Sequence, residues 1–435
     1  MNLILSTILT NLTRLQNAKT GIANAITSAG GSLSTGKLEG FANDINNRCD
    51  YISDYIHGLL TSAKTRSVTV DFVNGTTIFS GDSISNMSNY TQMAKCTVAD
   101  DGTITSYYGD GTYNGDGSIG QSMVKIPKFY YSVDARNANS GDIIDVGTWS
   151  ISTKPQYGFQ LHPAFIGRDG NELDYFMIGC FEALFQIPNT DTYTEQYNAS
   201  YMLASMNGTG TASPAVSFTR SQGRTAASLR GNGWYQLGFT QLQAIQMLFA
   251  VEYGFNAQTA VGNGIVDVSS KQYIGTTDLD GNNTVGTTLN SYSSVSYRGI
   301  ENLWGNVWSW VDGFVGNGGT GYFTTGYNYT DTYNSTGYQA IGFTLAATSG
   351  VRYTTRFGYD SNNPWIIYPH TESTTANPSG PIGDAVYSAT ASNRMLYFGG
   401  NWDDTTNAGM FFFDLYGASS FSANTLGSRL MYIPH

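Results

Sequence analysis

The first pattern in this sequence that could do chemistry is a set of oxygen-bearing side chains at alternating positions. Asp278, Asp280 and Asn282 are spaced two residues apart, as the ligands of a calcium-binding loop would be. In an EF-hand loop, however, Gly281 would be misplaced, and Leu289 stands where a bidentate glutamate belongs. We therefore interpret this segment as a solvated turn and keep calcium as the alternative. We expect no other metal or cofactor.

The histidines and cysteines predict neither catalysis nor a zinc site. They are far apart in sequence, and they are His57, His162, His370, His435, Cys49, Cys96 and Cys180. No CxxC, HExxH, GxSxG or P-loop motif is present, so we expect isolated buried thiols and, beside Pro163, a structural His162. Paired carboxylates can converge from any part of a chain, which leaves a glycan-degrading enzyme as an alternative. The main expectation is that the protein is not an enzyme.

The composition and charge of the chain indicate which classes of partner to expect. Charged residues are only 12% of the chain, while it contains 51 glycines and 30 tyrosines, a mixture typical of short strands, tight turns and binding loops. The net charge is −11 and no basic run occurs, so nucleic-acid binding is not expected. The apolar start lacks a basic region and a cleavage site, and no apolar run approaches the ~20 residues of a membrane span. We expect neither a signal peptide nor membrane insertion.

Residues 1–62 predict an α-helical stem. Apolar side chains recur at steps of three and four in two stretches, namely Leu5, Ile8, Leu12, Leu15, Ala18, Ile22 and Ala25, then Phe41, Ile45, Cys49, Ile52, Ile56 and Leu59. A Gly/Ser-rich turn between Gly30 and Gly36 separates them. The narrow stripes favour self-association and attachment to a particle, and a helical hairpin packed on the main body is the alternative.

The rest of the chain predicts strands and loops. Residues 63–90 form the expected strand-rich connector, because residues 66–79 alternate like a strand pair around the Asn74-Gly75 turn signal. Residues 91–435 form one expected domain, in which short aromatic runs alternate with Gly, Asp and Asn turns. Residues 240–253 predict a helix that packs one face on a sheet.

Three segments carry a resemblance to a known fold. They are residues 233–235 (GWY), residues 298–313 (RGIENLWGNVWSWVDG), and residues 398–402 (FGGNW) followed by 427–430 (GSRL). In order and spacing they resemble the formylglycine-generating-enzyme-like branch of the C-type lectin fold. The resemblance implies an α+β class, with a C-type-lectin-like domain rich in short strands and long loops after the N-terminal α-helical stem. It also implies a structural role for Trp304, Gly305, Asn306, Trp308, Trp310, Gly399, Gly400, Trp402, Gly427 and Arg429.

The enzymes of this branch use features that this sequence lacks. Its oxidases depend on a cysteine pair near the C-terminus, and here the last cysteine is Cys180. Its iron-dependent members use three histidines, which the four histidines of this chain do not match in sequence. The resemblance therefore favours a binding protein.

The C-terminal segment resembles the variable region of proteins diversified by retroelements, which rewrite template adenines. Its framework reads GG-W, NAG-F and GSRL within about residues 398–430, and segments 15–20, 124–129 and 158–165 are similar to phage and prophage members. The residues reachable from asparagine codons, which the resemblance assigns to ligand binding, are Asp403, Asp404, Thr405, Thr406, Phe413, Asp414, Tyr416, Gly417, Phe421, Ser422 and Asn424. We expect them to face outward. The alternative, strongest for Met410, Phe412 and Leu415, is that the side chains point into the core.

Together these features predict a receptor-binding adhesin on a phage tail, located in the virion. Its partners would be a bacterial cell-surface receptor, protein or glycan, and phage tail proteins bound through the stem, and a homotrimer would add avidity. A bacterial surface protein with the same fold is the alternative. The sequence leaves the ligand and the host open.

Overall fold

A computed structural model describes residues 63–434 except 137–141, 209–210, 282–284, 288–293, 347 and 349. The predicted stem, with His57 and Cys49, lies outside the described residues, as does His435. The chain divides into two compact units. The larger unit consists of Lys64–Thr153 and Gln160–His435, and Lys154–Phe159 belongs to the smaller unit. No helix in the described part of the chain is long and apolar enough to cross a membrane.

The described residues are mostly β-strand, with a few helices. The strands are β1 (Thr65–Asp71), β2 (Thr76–Gly81), β3 (Ala94–Val98), β4 (Ile104–Tyr107), β5 (Gln121–Pro127), β6 (Tyr130–Arg136), β7 (Val146–Ser152), β8 (Gln160–Leu161), β9 (Tyr175–Gly179), β10 (Leu184–Gln186), β11 (Tyr193–Thr194), β12 (Met202–Ala204), β13 (Trp234–Gln236), β14 (Val285–Thr287), β15 (Val295–Tyr297), β16 (Ile300–Glu301), β17 (Trp308–Asn317), β18 (Thr320–Phe323), β19 (Gln339–Thr344), β20 (Arg352–Phe357), β21 (Pro369–Ser373), β22 (Ala385–Ser388), β23 (Arg394–Gly399), β24 (Gly409–Leu415), β25 (Leu426–Gly427) and β26 (Leu430–Tyr432). The α-helices are α1 (Ser88–Thr91), α2 (Arg220–Ser228), α3 (Phe239–Tyr253) and α4 (Ala257–Ala260), with 3₁₀ turns at Ile84–Asn86, Pro163–Phe165 and Thr405–Asn407.

Three larger sheets organise the described strands. The first is ordered β2-β1-β7-β6-β8, the second β13-β26-β9-β5-β3-β4, and the third β19-β18-β17-β23-β24-β22-β20-β21 with β25 beside β17. Strands β10 to β12 and β14 to β16 form two three-stranded sheets. The third, nine-stranded sheet holds the C-terminal segment at its centre, because β24 lies between β23 and β22.

The predicted hairpin around Asn74-Gly75 is present. Strands β1 and β2 pair antiparallel, and Gly75 has φ 71°, which an L side chain rarely adopts. Strand β1 also pairs along its length with β7, and Val68 and Val70 are fully buried. Residues 64–90, which make up nearly all of the predicted connector, therefore belong to the larger unit.

The predicted helix is α3, but it does not bury only one face. Nearly every residue from Phe239 to Val251 is buried. Its glutamines gave the sequence an amphipathic pattern, yet they bond to buried backbone. The side-chain amide of Gln246 donates to the carbonyl of Met410 at 2.6 Å, and that of Gln243 donates to the carbonyl of Ile367 at 3.2 Å. Hydrogen bonding offsets the free-energy cost of burying these amides. The glutamines of α3 therefore lie in the core and do not form a solvated face of the helix.

The tryptophan-rich motif lies in the core. Trp304 and Trp310 are at most 1% exposed, and Trp308 is 6% exposed. Asn306 donates a 2.6 Å hydrogen bond to the carboxyl of Glu182. Arg429, also fully buried, donates to the carbonyl oxygens of residues 179, 180, 301 and 302. These contacts fix the end of the chain to the centre of the domain.

Candidate ligand-binding surface

The predicted variable region divides into a buried strand and two flanking loops. Strand β24 pairs antiparallel with β23 and parallel with β22, which makes it an interior strand of the nine-stranded sheet. Residues 401–407, which we call the acidic loop, precede it, and residues 416–425 follow it. Exposed side chains of the segment therefore lie in the loops and not along the strand.

Phe413 is not displayed to solvent, so this expectation is wrong. Its side chain is fully buried and its ring stacks on Tyr368 with centroids 4.9 Å apart and an interplanar angle of 18°. The reason is that both faces of β24 are covered, which no local pattern shows. Met410, Phe412 and Leu415 are buried as well, as the alternative interpretation held.

Gly417 is also buried and has a backbone role. Its carbonyl accepts the N–H of Met395 at 2.8 Å, and a Cβ at this position would lie 2.6 Å from the ring of Phe421. Gly417 is therefore needed for close packing under Phe421, and its predicted outward display is wrong.

The framework glycines allow close approach of the backbone. Gly399 and Gly400 have φ of 102° and 83°, and a Cβ on Gly400 would lie 2.6 Å from that of Ala408. A Cβ on Gly427 would lie 2.6 Å from the carbonyl oxygen of Ala215. Trp402 is half-buried.

Asp414 lies between two tyrosines on one face of the sheet. The register places it opposite Tyr397 of β23 on one side and Tyr387 of β22 on the other. Its carboxylate accepts the N–H of Tyr416 at 2.6 Å and a hydrogen bond from the Tyr397 hydroxyl. The pKa of Asp414 is raised to about 7, mainly by burial. The nearby Asp404 also raises this pKa, whereas the two hydrogen bonds lower it.

Tyr416 contacts two other aromatic rings, and we call Tyr387, Tyr416 and Phe421 the aromatic patch. Tyr416 is 53% exposed, and its ring centroid lies 5.6 Å from that of Tyr387 and 5.8 Å from that of Phe421. Both contacts are edge-to-face, with interplanar angles of 66° and 83°. The exposed residues beside the patch are Ser419, Ser420, Ser422 and Asn424. An exposed aromatic ring fixed by its neighbours and rimmed by hydroxyl groups suits recognition.

The acidic loop contributes carboxylates and a strained residue. Asp403, Thr405 and Thr406 are exposed, while Asp404 accepts the backbone and side-chain N–H groups of Asn401 at 2.7 and 2.6 Å. Burial raises the pKa of Asp404 to about 6. Thr405 has φ 52°, an outlier for a β-branched side chain.

The strained conformation of Thr405 is held by the surrounding structure. Its N–H donates to the carbonyl of Val266 at 2.8 Å, and the side chain of Gln258 donates to the carbonyls of Thr405 and Ala408 at 2.9 and 2.7 Å. Backbone strain of this kind costs about 1–3 kcal/mol and concentrates at functional sites. The acidic loop is therefore a candidate site on geometric grounds.

Sequence reasoning missed Tyr387 and Tyr397 as members of this surface. Both lie outside the stretch 401–425 in which we expected the ligand contacts, and although Tyr397 directly precedes the FGGNW segment, that motif predicted only a structural role. Only the pairing of β22 and β23 with β24 brings them beside Asp414.

The calcium alternative finds no support at Asp278. The ammonium group of Lys95 lies 3.3 Å from its carboxylate, which also accepts from the Tyr113 hydroxyl at 3.1 Å and the Asn207 amide at 2.8 Å. Lys95 thus supplies the positive charge that a calcium ion would supply. Among the residues that the structure describes, no group of three or more His, Cys, Asp or Glu side chains could hold a metal ion.

The side chains of His162, Cys96 and Cys180 fit structural roles. His162 is fully buried, its Nδ1 accepts the N–H of Ala164 at 3.2 Å, and burial lowers its pKa to about 3. Cys96 and Cys180 are buried free thiols, as predicted, and burial raises the pKa of the Cys96 thiol to about 12. Neither thiol is a reactive thiolate at neutral pH.

Comparison with known proteins identifies no family for this chain. No family model and no curated protein matches it. Three solved structures, the U1, M1 and P3c variants of Major Tropism Determinant, align over 78% of this chain and 71% of theirs, at 14%, 14% and 15% identity and a TM-score of 0.27. An alignment at that TM-score supports no conclusion about fold or function.

Proposed function

We propose that this chain is a receptor-binding adhesin of a phage tail, in which a C-type-lectin-like domain recognises a ligand on the bacterial surface. The recognition surface consists of the aromatic patch, Asp414 and the acidic loop. The protein is not an enzyme in this proposal. The resemblance of segments 15–20, 124–129 and 158–165 to phage and prophage members supports the location on a virion.

One observation carries this proposal, namely the arrangement around Tyr416. Tyr416 is 53% exposed, and its ring contacts two aromatic neighbours. The backbone N–H of Tyr416 also donates a hydrogen bond to the carboxylate of Asp414. Fixing an aromatic side chain before binding lowers the entropy lost when a ligand docks. Such pre-ordered aromatic side chains are frequent hot spots of recognition.

The conformation of Thr405 supports diversification of the segment. A residue at φ 52° is most often glycine, and among the other residues asparagine and aspartate are enriched there, because they adopt the left-handed region at a lower cost than a β-branched residue. Rewriting one adenine changes the asparagine codon AAC to the threonine codon ACC. A backbone suited to asparagine that carries threonine is what such rewriting would produce.

Assembly is part of the same proposal. Residues 1–62 form a stem that joins three copies and attaches them to other tail proteins. Three copies of a weak site bind one cell with avidity that can exceed a single contact by about 10²–10⁴-fold. Sedimentation of the full chain as a monomer at micromolar concentration would contradict the trimer.

Binding to a panel of bacterial cells tests the function. The full chain is compared with Tyr416→Ala combined with Phe421→Ala, and with Tyr107→Ala as the control. Tyr107 is 37% exposed and lies on β4, at the edge of another sheet. Loss of binding in the double variant alone, with unchanged melting and oligomeric state, supports the proposal, and unchanged binding in all variants refutes it.

A bacterial surface protein that binds its ligand through the same residues is the other binding hypothesis. The two differ in location, because only the phage protein copurifies with tail particles. Antibody labelling of purified virions and of uninfected cells decides between them.

A glycan-degrading enzyme is a second candidate because Asp404 and Asp414 both have raised pKa values and Asp404 raises that of Asp414. Carboxyl groups of this kind serve as general acids in glycosidases. Each of them also accepts the N–H of a nearby residue, which is a structural role in a turn. Release of reducing ends from bacterial polysaccharide that Asp414→Asn abolishes would favour the enzyme, and absence of turnover would remove this candidate.

A further inference from the structure

We propose that the recognition surface extends beyond the C-terminal segment onto Tyr322, Tyr333 and Tyr353, and that its partner is a folded protein with exposed basic side chains. We call these three residues the scaffold tyrosines. The inference rests on the proposed function, since it enlarges the same site. The scaffold tyrosines lie outside the stretch that resembles a diversified region, so they give every variant of the segment a constant set of contacts.

The scaffold tyrosines lie on the same face of the nine-stranded sheet as the aromatic patch. Tyr322 of β18 is opposite Val315 of β17, which is opposite Met395 of β23. Val315 and Met395 belong to the same buried cluster as Tyr397, and Tyr333, Tyr353 and Phe421 pack against that cluster. All three scaffold tyrosines are half-buried, so each remains partly accessible to solvent.

Tyr353 and Tyr387 are neighbours across two strands. Tyr353 of β20 is opposite Ala385 of β22, and Tyr387 is two residues further along β22. Residues two apart in a strand point to the same face. The surface therefore continues from the aromatic patch across β22 to β20.

On the other side, Tyr333 is held in place by its loop. Its ring lies 4.9 Å from that of Tyr322, and its N–H donates to the side chain of Asn393 at 3.1 Å. The same loop is fixed by Asp331, whose carboxylate accepts from Arg220 at 2.8 Å and from Arg224 at 2.6 Å. Arg220 is fully buried, so this ion pair orders the loop strongly compared with an exposed pair.

The width of this surface favours a protein partner. From Tyr322 on β18 to Tyr353 on β20 the sheet has the order β18-β17-β23-β24-β22-β20, so five spacings of about 4.8 Å give about 24 Å. A standard protein–protein interface covers about 800 Å² on each partner, or about 28 Å across. Small ligands instead favour concave pockets. A broad surface, in which half-buried tyrosines and the aromatic patch lie over the buried residues of this sheet face, matches the first description.

The charge of the surface favours basic side chains on the partner. The surface carries three carboxylates, the exposed Asp403 and the half-buried Asp404 and Asp414, which repel one another, whereas Arg394 uses its guanidinium to donate to the carbonyl of Tyr416 at 2.8 Å. An arginine or lysine of the partner would relieve this repulsion and could lie over a tyrosine ring.

Cells of one strain that the wild-type chain binds are the probe. The variants are Tyr333→Ser, Tyr353→Ser and Tyr353→Lys, with Tyr107→Ser as the matched control and Tyr416→Ala as the segment variant. Tyr353→Lys keeps a long apolar stem over the core and adds a charge that repels a basic partner. We expect at least about tenfold weaker binding for each scaffold variant, which is the effect of a modest hot spot, and the largest loss for Tyr353→Lys.

The same cells are then treated with protease or with periodate, which oxidises glycans. Loss of binding after protease and not after periodate is the expected result. If periodate alone abolishes binding, the partner is a glycan and the inference is overturned. If the scaffold variants bind like Tyr107→Ser while Tyr416→Ala does not bind, the inference fails and the proposed function stands. If Tyr416→Ala also binds normally, or if no strain binds the wild-type chain, both fail.

Discussion

Replacing Phe413 by alanine should lower the free energy of unfolding without removing a direct contact to the ligand. The side chain is fully buried, stacked on Tyr368 and opposite Phe398 in the next strand. Truncation of a buried phenylalanine removes its transfer free energy and leaves a cavity, at a cost of about 3–5 kcal/mol. We expect the upper half of that range, because β24 is an interior strand whose two faces are covered and the site cannot collapse easily.

Urea unfolding followed by tryptophan fluorescence measures this effect, with Phe413→Leu and Tyr416→Ala as comparators. Phe413→Leu keeps most of the apolar volume and should cost less than Phe413→Ala. Tyr416 is 53% exposed, so Tyr416→Ala should change the free energy of unfolding by only about 0.5 kcal/mol while weakening cell binding.

The opposite pattern would refute this reasoning. If Phe413→Ala were as stable as wild type and bound cells weakly, the side chain would lie on the ligand-binding surface. The assignment of β24 as a buried strand would then be wrong.

Three further predictions concern the same segment. Because burial raises the pKa of Asp414 to about 7 and of Asp404 to about 6 from a value of 3.8, the free energy of unfolding should fall as the pH rises from about 4 to about 7, and Asp414→Asn should flatten that decline in urea titrations at several pH values. Thr405→Asn should stabilise the chain by about 1 kcal/mol by relieving the left-handed strain, and a lower midpoint of thermal unfolding would contradict this. Gly409→Ala should destabilise the chain or prevent folding, because its Cβ would overlap the carboxyl of Asp384, and a soluble variant with wild-type melting would show that the strand can shift.

Local sequence signals predicted local structure well. The Asn74-Gly75 turn, the helix near residues 240–253 and the burial of Trp304 and Trp310 all follow from short patterns that need no distant partner. Each rests on a local cause, namely the turn geometry of glycine, the helical period, or the large apolar surface of tryptophan.

Predictions failed where a distant contact decides the environment of a residue. The glutamines of α3 are buried because the backbone of Ile367 and Met410 accepts their hydrogen bonds. Asp278, which the sequence placed in a solvated turn, is buried because Lys95, far away in sequence, lies against it. No window of sequence contains both members of these pairs.

The sequence by itself determined that this chain is rich in strands, that a local cluster of aromatic residues lies between residues 411 and 421, and that it carries no known catalytic motif. Only the tertiary structure decided which aromatic side chains face solvent. Phe413 and Tyr416 are three residues apart, yet one is fully buried and the other is 53% exposed. The difference arises because strands β22 and β23 and the layers above and below them enclose β24, whereas the chain leaves the sheet at Tyr416. Burial depends on neighbours that the fold brings together, and those neighbours lie elsewhere in the sequence.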